Sequence, residues 1–250
     1  MQNPLDVVTV EAKPERITIE PERAALLVID MQNDFGSPGG MFHRAGIDIS
    51  GIRQAIEPTA RVIASARKRE IPIVYVKMGF RLDLSDAGDP GSPNRVKHVR
   101  IHAGEAIVAP DGRESRILIR DTWNTDIVSE LAPQPGDIVM YKHRFSAFYG
   151  TDLDAILGRL KAKYLIFTGC TTSVCVESTI RDAMFRNYTC LLLEDCTAEP
   201  IGRDLPRSNH EASLLVLQTL FAWVSRSDQF IQAIESRVAA VAQYPVPSSV

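Results

Sequence analysis

Five short runs of aliphatic residues, each closed by polar residues and separated from the next run by loop or helical sequence, constrain the fold more than any other feature. The clearest is Ala24–Ala25–Leu26–Leu27–Val28–Ile29, which ends at Asp30. A run this short, without polar alternation, reads as a strand buried on both faces, as in a parallel sheet. The others lie at 71–76, 137–141, 164–168 and 190–193, and a possible sixth, near 221–225, merges with the helix before it. Apolar residues recur at helical spacing over 52–69, 151–160, 174–186 and 211–224. Strand alternating with helix predicts βαβ units, hence an α/β fold on a parallel sheet. Residues 79–122 break the pattern and are dense in turn formers around Asp89–Pro90–Gly91–Ser92–Pro93–Asn94. A loop that long within a domain is usually functional or part of an interface.

Composition narrows the function classes. The 250 residues suffice for one sizeable core, and the organisation expected is a polar arm at 1–20, one domain at 21–238 and a tail at 239–250. A net charge of -3 argues against nucleic acid or an anionic membrane as partner. The basic cluster at 95–100 reads as a solvated face or part of a subunit contact. No apolar stretch approaches the roughly 20 residues of a membrane span, and no basic end precedes an apolar run, so a cytoplasmic protein is expected. The four cysteines, Cys170, Cys175, Cys190 and Cys196, are grouped in the second half and read as reduced thiols. They lack the paired spacing or attendant histidines of a zinc site.

In open α/β sheets, ligands sit beyond the carboxyl ends of the strands. The residues just past these runs include Asp30, Asn33 and Asp34, then Lys142, then Thr171 to Cys175. A carboxylate, an ammonium and a thiol therefore converge. Cys175 stands at the start of a predicted helix, where the dipole and free N–H groups favour a thiolate, and Lys142 adds positive charge. Asp30 can take the thiol proton and return it to a leaving amine. Each residue has a plainer reading: a buried small side chain for Cys175, a turn cap for Asp30, a surface charge for Lys142. Their joint placement favours the chemical one. Cys190 reads as core, and Cys170 as a thiol near the site.

Three segments in this order carry a family resemblance: Leu27–Val28–Ile29–Asp30–Met31–Gln32–Asn33–Asp34–Phe35, the isolated Lys142, and Gly169–Cys170–Thr171–Thr172–Ser173–Val174–Cys175–Val176. Together they resemble the isochorismatase-like cysteine hydrolases, over nearly the whole chain from about 21 to 235. The resemblance implies a Rossmann-like three-layer α/β/α sandwich on a six-stranded parallel sheet. It implies a triad of Asp30, Lys142 and Cys175, and a cis peptide before Thr171 that aims the Thr171 and Cys175 N–H groups at an oxyanion. It implies no cofactor and no metal, and a homo-oligomer, dimer or tetramer, acting on a small-molecule amide or ureide.

Within the family the chain is most similar to the ureidoacrylate amidohydrolases, through Ser37–Pro38–Gly39–Gly40, Pro90–Gly91–Ser92–Pro93–Asn94, Pro133–Gln134–Pro135–Gly136–Asp137 and Cys175–Val176–Glu177–Ser178. It departs from them at Met78–Gly79–Phe80 and at Phe145, where polar handles are lost. Arg81–Leu82–Asp83–Leu84 is similar to the biuret and N-carbamoylsarcosine hydrolases. Asn33, Phe35, Phe80, Asn94, Phe145 and Phe148 are candidate pocket residues, with Arg81 or Arg95 for a substrate carboxylate. The expected activity is therefore a cysteine-dependent amidohydrolase that releases ammonia or carbamate from a ureido or carbamoyl compound. Biuret- or triuret-type hydrolysis, or a more apolar amide, are the alternatives. A catalytically silent binding subunit, or a merely redox-active Cys175, are readings of other classes. A nicotinamidase would need histidines after the second strand, and Phe80–Arg81–Leu82–Asp83–Leu84–Ser85–Asp86 has none. His98 and His102 are read as a surface pair.

Overall fold

The computed structural model describes residues 6–202 and 208–242. The chain runs β1 (Val8–Val10), β2 (Ile17–Ile19), β3 (Ala24–Ile29), α1 (Asn33–Gly36), α2 (Met41–Arg44), α3 (Ser50–Lys68) and β4 (Ile73–Met78). The long excursion follows, with α4 (Pro93–Arg100), β5 (Ala106–Val108) and β6 (Glu114–Arg116). Then come β7 (Ile138–Lys142), α5 (Leu153–Arg159), β8 (Tyr164–Cys170), α6 (Glu177–Phe185), β9 (Thr189–Ala198), α7 (Asn209–Leu220), β10 (Trp223–Ser225) and α8 (Ser227–Ala242).

Six strands form one parallel sheet in the order β10-β9-β8-β3-β4-β7. β3 carries no polar side chain, and all six of its residues are buried. Its pleat divides them between two cores. Leu26 and Val28 join the core formed with α3, α8 and the β1–β2 hairpin, whereas Ala25, Leu27 and Ile29 join the one formed with α5 and α6. Helices thus cover both faces, giving the three-layer α/β/α sandwich expected from the sequence. The amphipathic α3 shows the local logic: Ile52, Ile56, Val62, Ile63 and Ala66 are buried, whereas Arg61 faces water and pairs with Glu57.

Several elements differ from the sequence reading. The expected polar arm at 1–20 holds an antiparallel hairpin, in which Val8, Val10, Ile17 and Ile19 are buried in the main core. These runs are too short to register as strands before their partner is known. The strand expected at 71–76 begins two residues later, because Pro72 precedes it and the Ile71 N–H closes onto Ala66 O at the end of α3. The loop expected at 79–122 contains α4 and the β5–β6 hairpin. The sixth strand is β10. α8 was not among the helices expected, and it takes in residues 239–242 of the expected tail; residues 243–250 lie outside the described residues. No helix among the described residues is long and apolar enough to cross a membrane.

Candidate active site

Chain order reverses across the sheet between β3 and β8: β4 and β7 follow on one side of β3, whereas β8, β9 and β10 run out on the other. A crevice opens at such a switch point beyond the carboxyl ends of the strands. Asp30 is the first residue past β3, with φ of 53°, a left-handed conformation that Asp tolerates better than most residues. Its N–H donates to Val76 O at 2.8 Å, so the turn is tied to β4. Lys142 ends β7 and lies in register with Met78 of β4. Cys175 sits in the single wide helical turn Thr172–Val176 that leads into α6, closed by the Val176 N–H on Thr171 O at 3.2 Å. The Cys170–Thr171 peptide is cis.

These placements bring the three groups into contact. Lys142 Nζ lies 2.8 Å from Asp30 Oδ2 and 3.2 Å from Cys175 Sγ. Lys142 and Asp30 are wholly buried, so the charges must be compensated locally. Burial pushes the Asp30 carboxyl up, and the Lys142 charge offsets only part of this. Burial disfavours the Lys142 ammonium, yet Asp30 and Cys175 together outweigh it and hold its pKa above the ordinary value. Burial, and then the Asp30 charge, push the Cys175 thiol well up. These directions favour a neutral thiol at Cys175 and a protonated ammonium at Lys142. The sequence expectation was a thiolate favoured by a helix start and Lys142; burial and the Asp30 charge oppose it, and Lys142 offsets only part of their effect. Asp30, by the same burial, is a stronger base than a surface carboxylate.

Above the thiol lies a cavity of about 250 Å³, walled by Phe35, Met41, Phe42, Met78, Leu118 and Phe145, with Thr171, Val174, Ile101 and Ile201. Among the described residues, its polar side chains besides Thr171 and Cys175 are Lys97 and His98, both from α4. Of the pocket candidates, Phe35 and Phe145 line it. Asn33 does not: its amide donates to Trp123 O at 2.8 Å. Phe80 stands behind the wall, edge-on to His98 at 5.0 Å. The Asn94 amide donates to Ala87 O at 2.9 Å and braces the excursion. Phe148 belongs to the opposite core, stacked on Tyr188. Arg81 is exposed, and Arg95 donates to Gly88 O at 3.3 Å. Neither arginine lines the cavity; among the described residues, the cation that does is Lys97. His98 is not a surface residue, being 4% exposed, and His102 pairs with Glu105 instead of with it.

Two supporting residues, Gln32 and Asp34, lay in the first motif without an assigned role. The Gln32 amide exchanges hydrogen bonds with both backbone groups of Met78, at 2.9 and 2.6 Å, locking the ends of β3 and β4 together. The Asp34 carboxylate accepts from Met41 N at 3.0 Å, Leu118 N at 2.7 Å and the Asn124 amide at 2.5 Å. It thereby gathers two cavity-lining residues. Complete burial of a polar residue was the signal, and it shows only after folding.

An isochorismatase domain model matches residues 24–229. The chain belongs to the isochorismatase family. It is 38% identical over 236 residues to the ureidoacrylate amidohydrolase RutB of Cronobacter sakazakii, covering 94% of this chain and 99% of that protein. A cysteine hydrolase from Pseudomonas syringae pv. phaseolicola has a similar structure, with a TM-score of 0.75, 27% identity, and 94% and 99% of the two chains covered. The N-carbamoylsarcosine amidase of Thermoplasma acidophilum aligns with a TM-score of 0.59 at 28% identity, covering 82% of this chain and 97% of that one. The family and the three-layer fold agree with the resemblance in the sequence.

Proposed function

We propose that this member of the isochorismatase family is a cysteine-dependent amidohydrolase that cleaves a C–N bond of a small ureido or carbamoyl compound, with Cys175 as nucleophile. That it is a hydrolase of amide C–N bonds accords with its family and with the amidohydrolase and amidase among its relatives. The observation that carries the finer reading is the buried contact of Asp30, Lys142 and Cys175 at the foot of one cavity.

In this scheme, Asp30 takes the thiol proton as sulfur adds to the carbonyl carbon, so that thiolate forms only as it is consumed. Backbone N–H groups at Thr171 and Cys175 receive the oxyanion. The C–N bond then breaks, and Asp30 returns the proton to the departing nitrogen. Water hydrolyses the resulting thioester or thiocarbamate and restores the thiol. Lys142 keeps Asp30 ionised and oriented throughout. A substrate carboxylate would meet Lys97 at the cavity mouth. The phenyl and thioether walls favour a second reading, in which the substrate carries a more apolar substituent than ureidoacrylate.

The test is ammonia release from ureidoacrylate, biuret, triuret and N-carbamoylsarcosine, with EDTA-treated and Cys175→Ala controls. Turnover that survives EDTA and is lost in the variant is expected. Activity retained in Cys175→Ala would sink the nucleophile assignment. A homo-oligomer in the cytoplasm remains part of this proposal, with the oligomeric state open to light scattering.

A further inference from the structure

The catalytic scheme has no use for the ring of His98, yet this is the one buried residue of α4 and it lines the cavity with Cys175. Its Nδ1 lies 2.7 Å from the backbone oxygen of Asn94. A carbonyl oxygen only accepts, so Nδ1 carries the hydrogen, and in the neutral ring Nε2 is left with a lone pair. Burial holds the ring neutral below the ordinary histidine range; the Asn94 contact opposes this, and the nearby Lys142 and Arg144 charges assist it. Phe80, at 5.0 Å, and Phe145, at 5.4 Å, fix the ring between them. Nε2 has no hydrogen-bond partner among the described residues. Among the described residues, those that line the cavity with His98 are apolar but for Lys97, Thr171 and Cys175.

Lysine offers only donors, and the backbone N–H groups assigned to the oxyanion are donors too. An amide or ureide bound over Cys175 brings its own N–H groups into this space and needs an acceptor for them. An unmatched N–H in a dry cavity is costly, whereas a matched one discriminates strongly. We propose that His98 is the specificity-determining residue of the site: its Nε2 accepts an N–H of the bound amide or ureide, selecting N–H-bearing substrates over fully N-alkylated ones. This rests on the reading of Cys175 as nucleophile. No neighbour in sequence announces it, because His98 becomes an acceptor only when α4 turns its Nδ1 onto Asn94.

The test reads recognition without turnover. Alkylation of Cys175 by chloroacetamide and by N,N-dimethylchloroacetamide is followed by peptide mass spectrometry, and the same two reagents are run against free glutathione to give their intrinsic reactivities. The preference of the wild-type protein for the primary amide is expected to exceed that of glutathione by at least about tenfold, the scale of one well-made hydrogen bond. His98→Phe keeps the ring between its aromatic neighbours, lacks the acceptor, and should lose that preference. His98→Gln, whose side-chain oxygen accepts, should restore part of it. An unchanged ratio in the folded Phe variant overturns the proposal. A second measurement needs no substitution at 98: in 15N-histidine-labelled Cys175→Ala protein, the unprotonated Nε2 signal of His98 should move with urea and stay still with tetramethylurea. A signal that ignores urea overturns it equally. Because neither measurement needs turnover, inert ureides in the ammonia assay would count against the substrate class and leave this test intact. If neither reagent labels Cys175, the nucleophile reading fails and this inference falls with it.

Discussion

Asp30 and Lys142 are bound to each other by burial as much as by chemistry. In the proposed scheme Asp30→Asn removes the base and should lower kcat by about 10²- to 10⁴-fold. It also leaves Lys142 buried without its carboxylate partner, which costs on the order of 3–5 kcal/mol in folding. Both effects should be seen in one preparation, by turnover and by denaturant unfolding. The pH profile separates the roles. Protonated Asp30 cannot accept the thiol proton, so kcat/KM should fall as pH drops through a pKa raised above the usual carboxylate value of about 4. Lys142→Met withdraws the charge that opposes this rise, and the acid limb should move to higher pH. A limb lying below the ordinary carboxylate range would show that another group is the base. Asp34 offers a separate check. Burial, opposed by its three donors, raises its pKa from 3.8 to about 6. A raised folded-state value means that the folded chain keeps its proton after the unfolded chain has lost it. The contribution is full below about 4 and is lost as pH rises through about 6. The stability advantage of the wild type over Asp34→Asn should thus shrink from pH 4 to pH 7, by at most roughly 3 kcal/mol. A pH-independent difference in urea unfolding would refute it.

Elements differ in how much of themselves they show in sequence. β3 was legible to the residue, because a strand buried on both faces needs six apolar side chains and Asp30 marks its end. β9 was legible only in part: it runs on through Glu194 and Asp195, whose carboxylates meet Arg226 and the Ser227 N–H at the start of α8 instead of solvent alone. The meeting of Asp30, Lys142 and Cys175 was legible because each closes or follows a strand. The cavity wall was legible only at Phe35 and Phe145; Met41 and Phe42 on α2, Lys97 and His98 on α4, and Leu118 in the excursion are brought there by tertiary bonds such as those of Asp34. Gly169 shows why the β8 end tolerates so little change. It adopts φ of 116° beside Ile29, and an added Cβ would collide with the Ile29 carbonyl. Gly169→Ala should cost more than about 2 kcal/mol, as a side chain forced into a left-handed, crowded position. It should also slow alkylation of Cys175, since the turns that hold Cys175 and Asp30 begin where β8 and β3 end. A variant with native stability and native labelling would mean that the two strands can separate without consequence.

At the scale of the whole molecule, the β1–β2 hairpin closes what the sheet leaves open. β10 is an edge strand, and an uncovered edge is a template for pairing with another chain. Here Lys13 occupies it: its N–H donates to Val224 O at 2.7 Å and its carbonyl accepts from Val224 N at 2.9 Å. The Ser225 hydroxyl donates to Glu11 O beside it. On the other side, Val8, Val10, Ile17 and Ile19 bury their side chains in the core shared with α3 and α8. At about 1.5 kcal/mol or more for each such side chain, the hairpin contributes several kcal/mol. A chain beginning at Pro21 should therefore unfold at a lower temperature and associate through the bared edge of β10. No hairpin residue lines the cavity, so the fraction that stays folded should still be alkylated at Cys175 at the native rate. Thermal unfolding with size-exclusion chromatography reads the first two effects, and mass spectrometry reads the third. A truncated chain with an unchanged midpoint and elution volume would show the hairpin to be an appendage. A stable chain with slowed labelling would instead make it part of the site, through the edge strand and β9 to the end of β8.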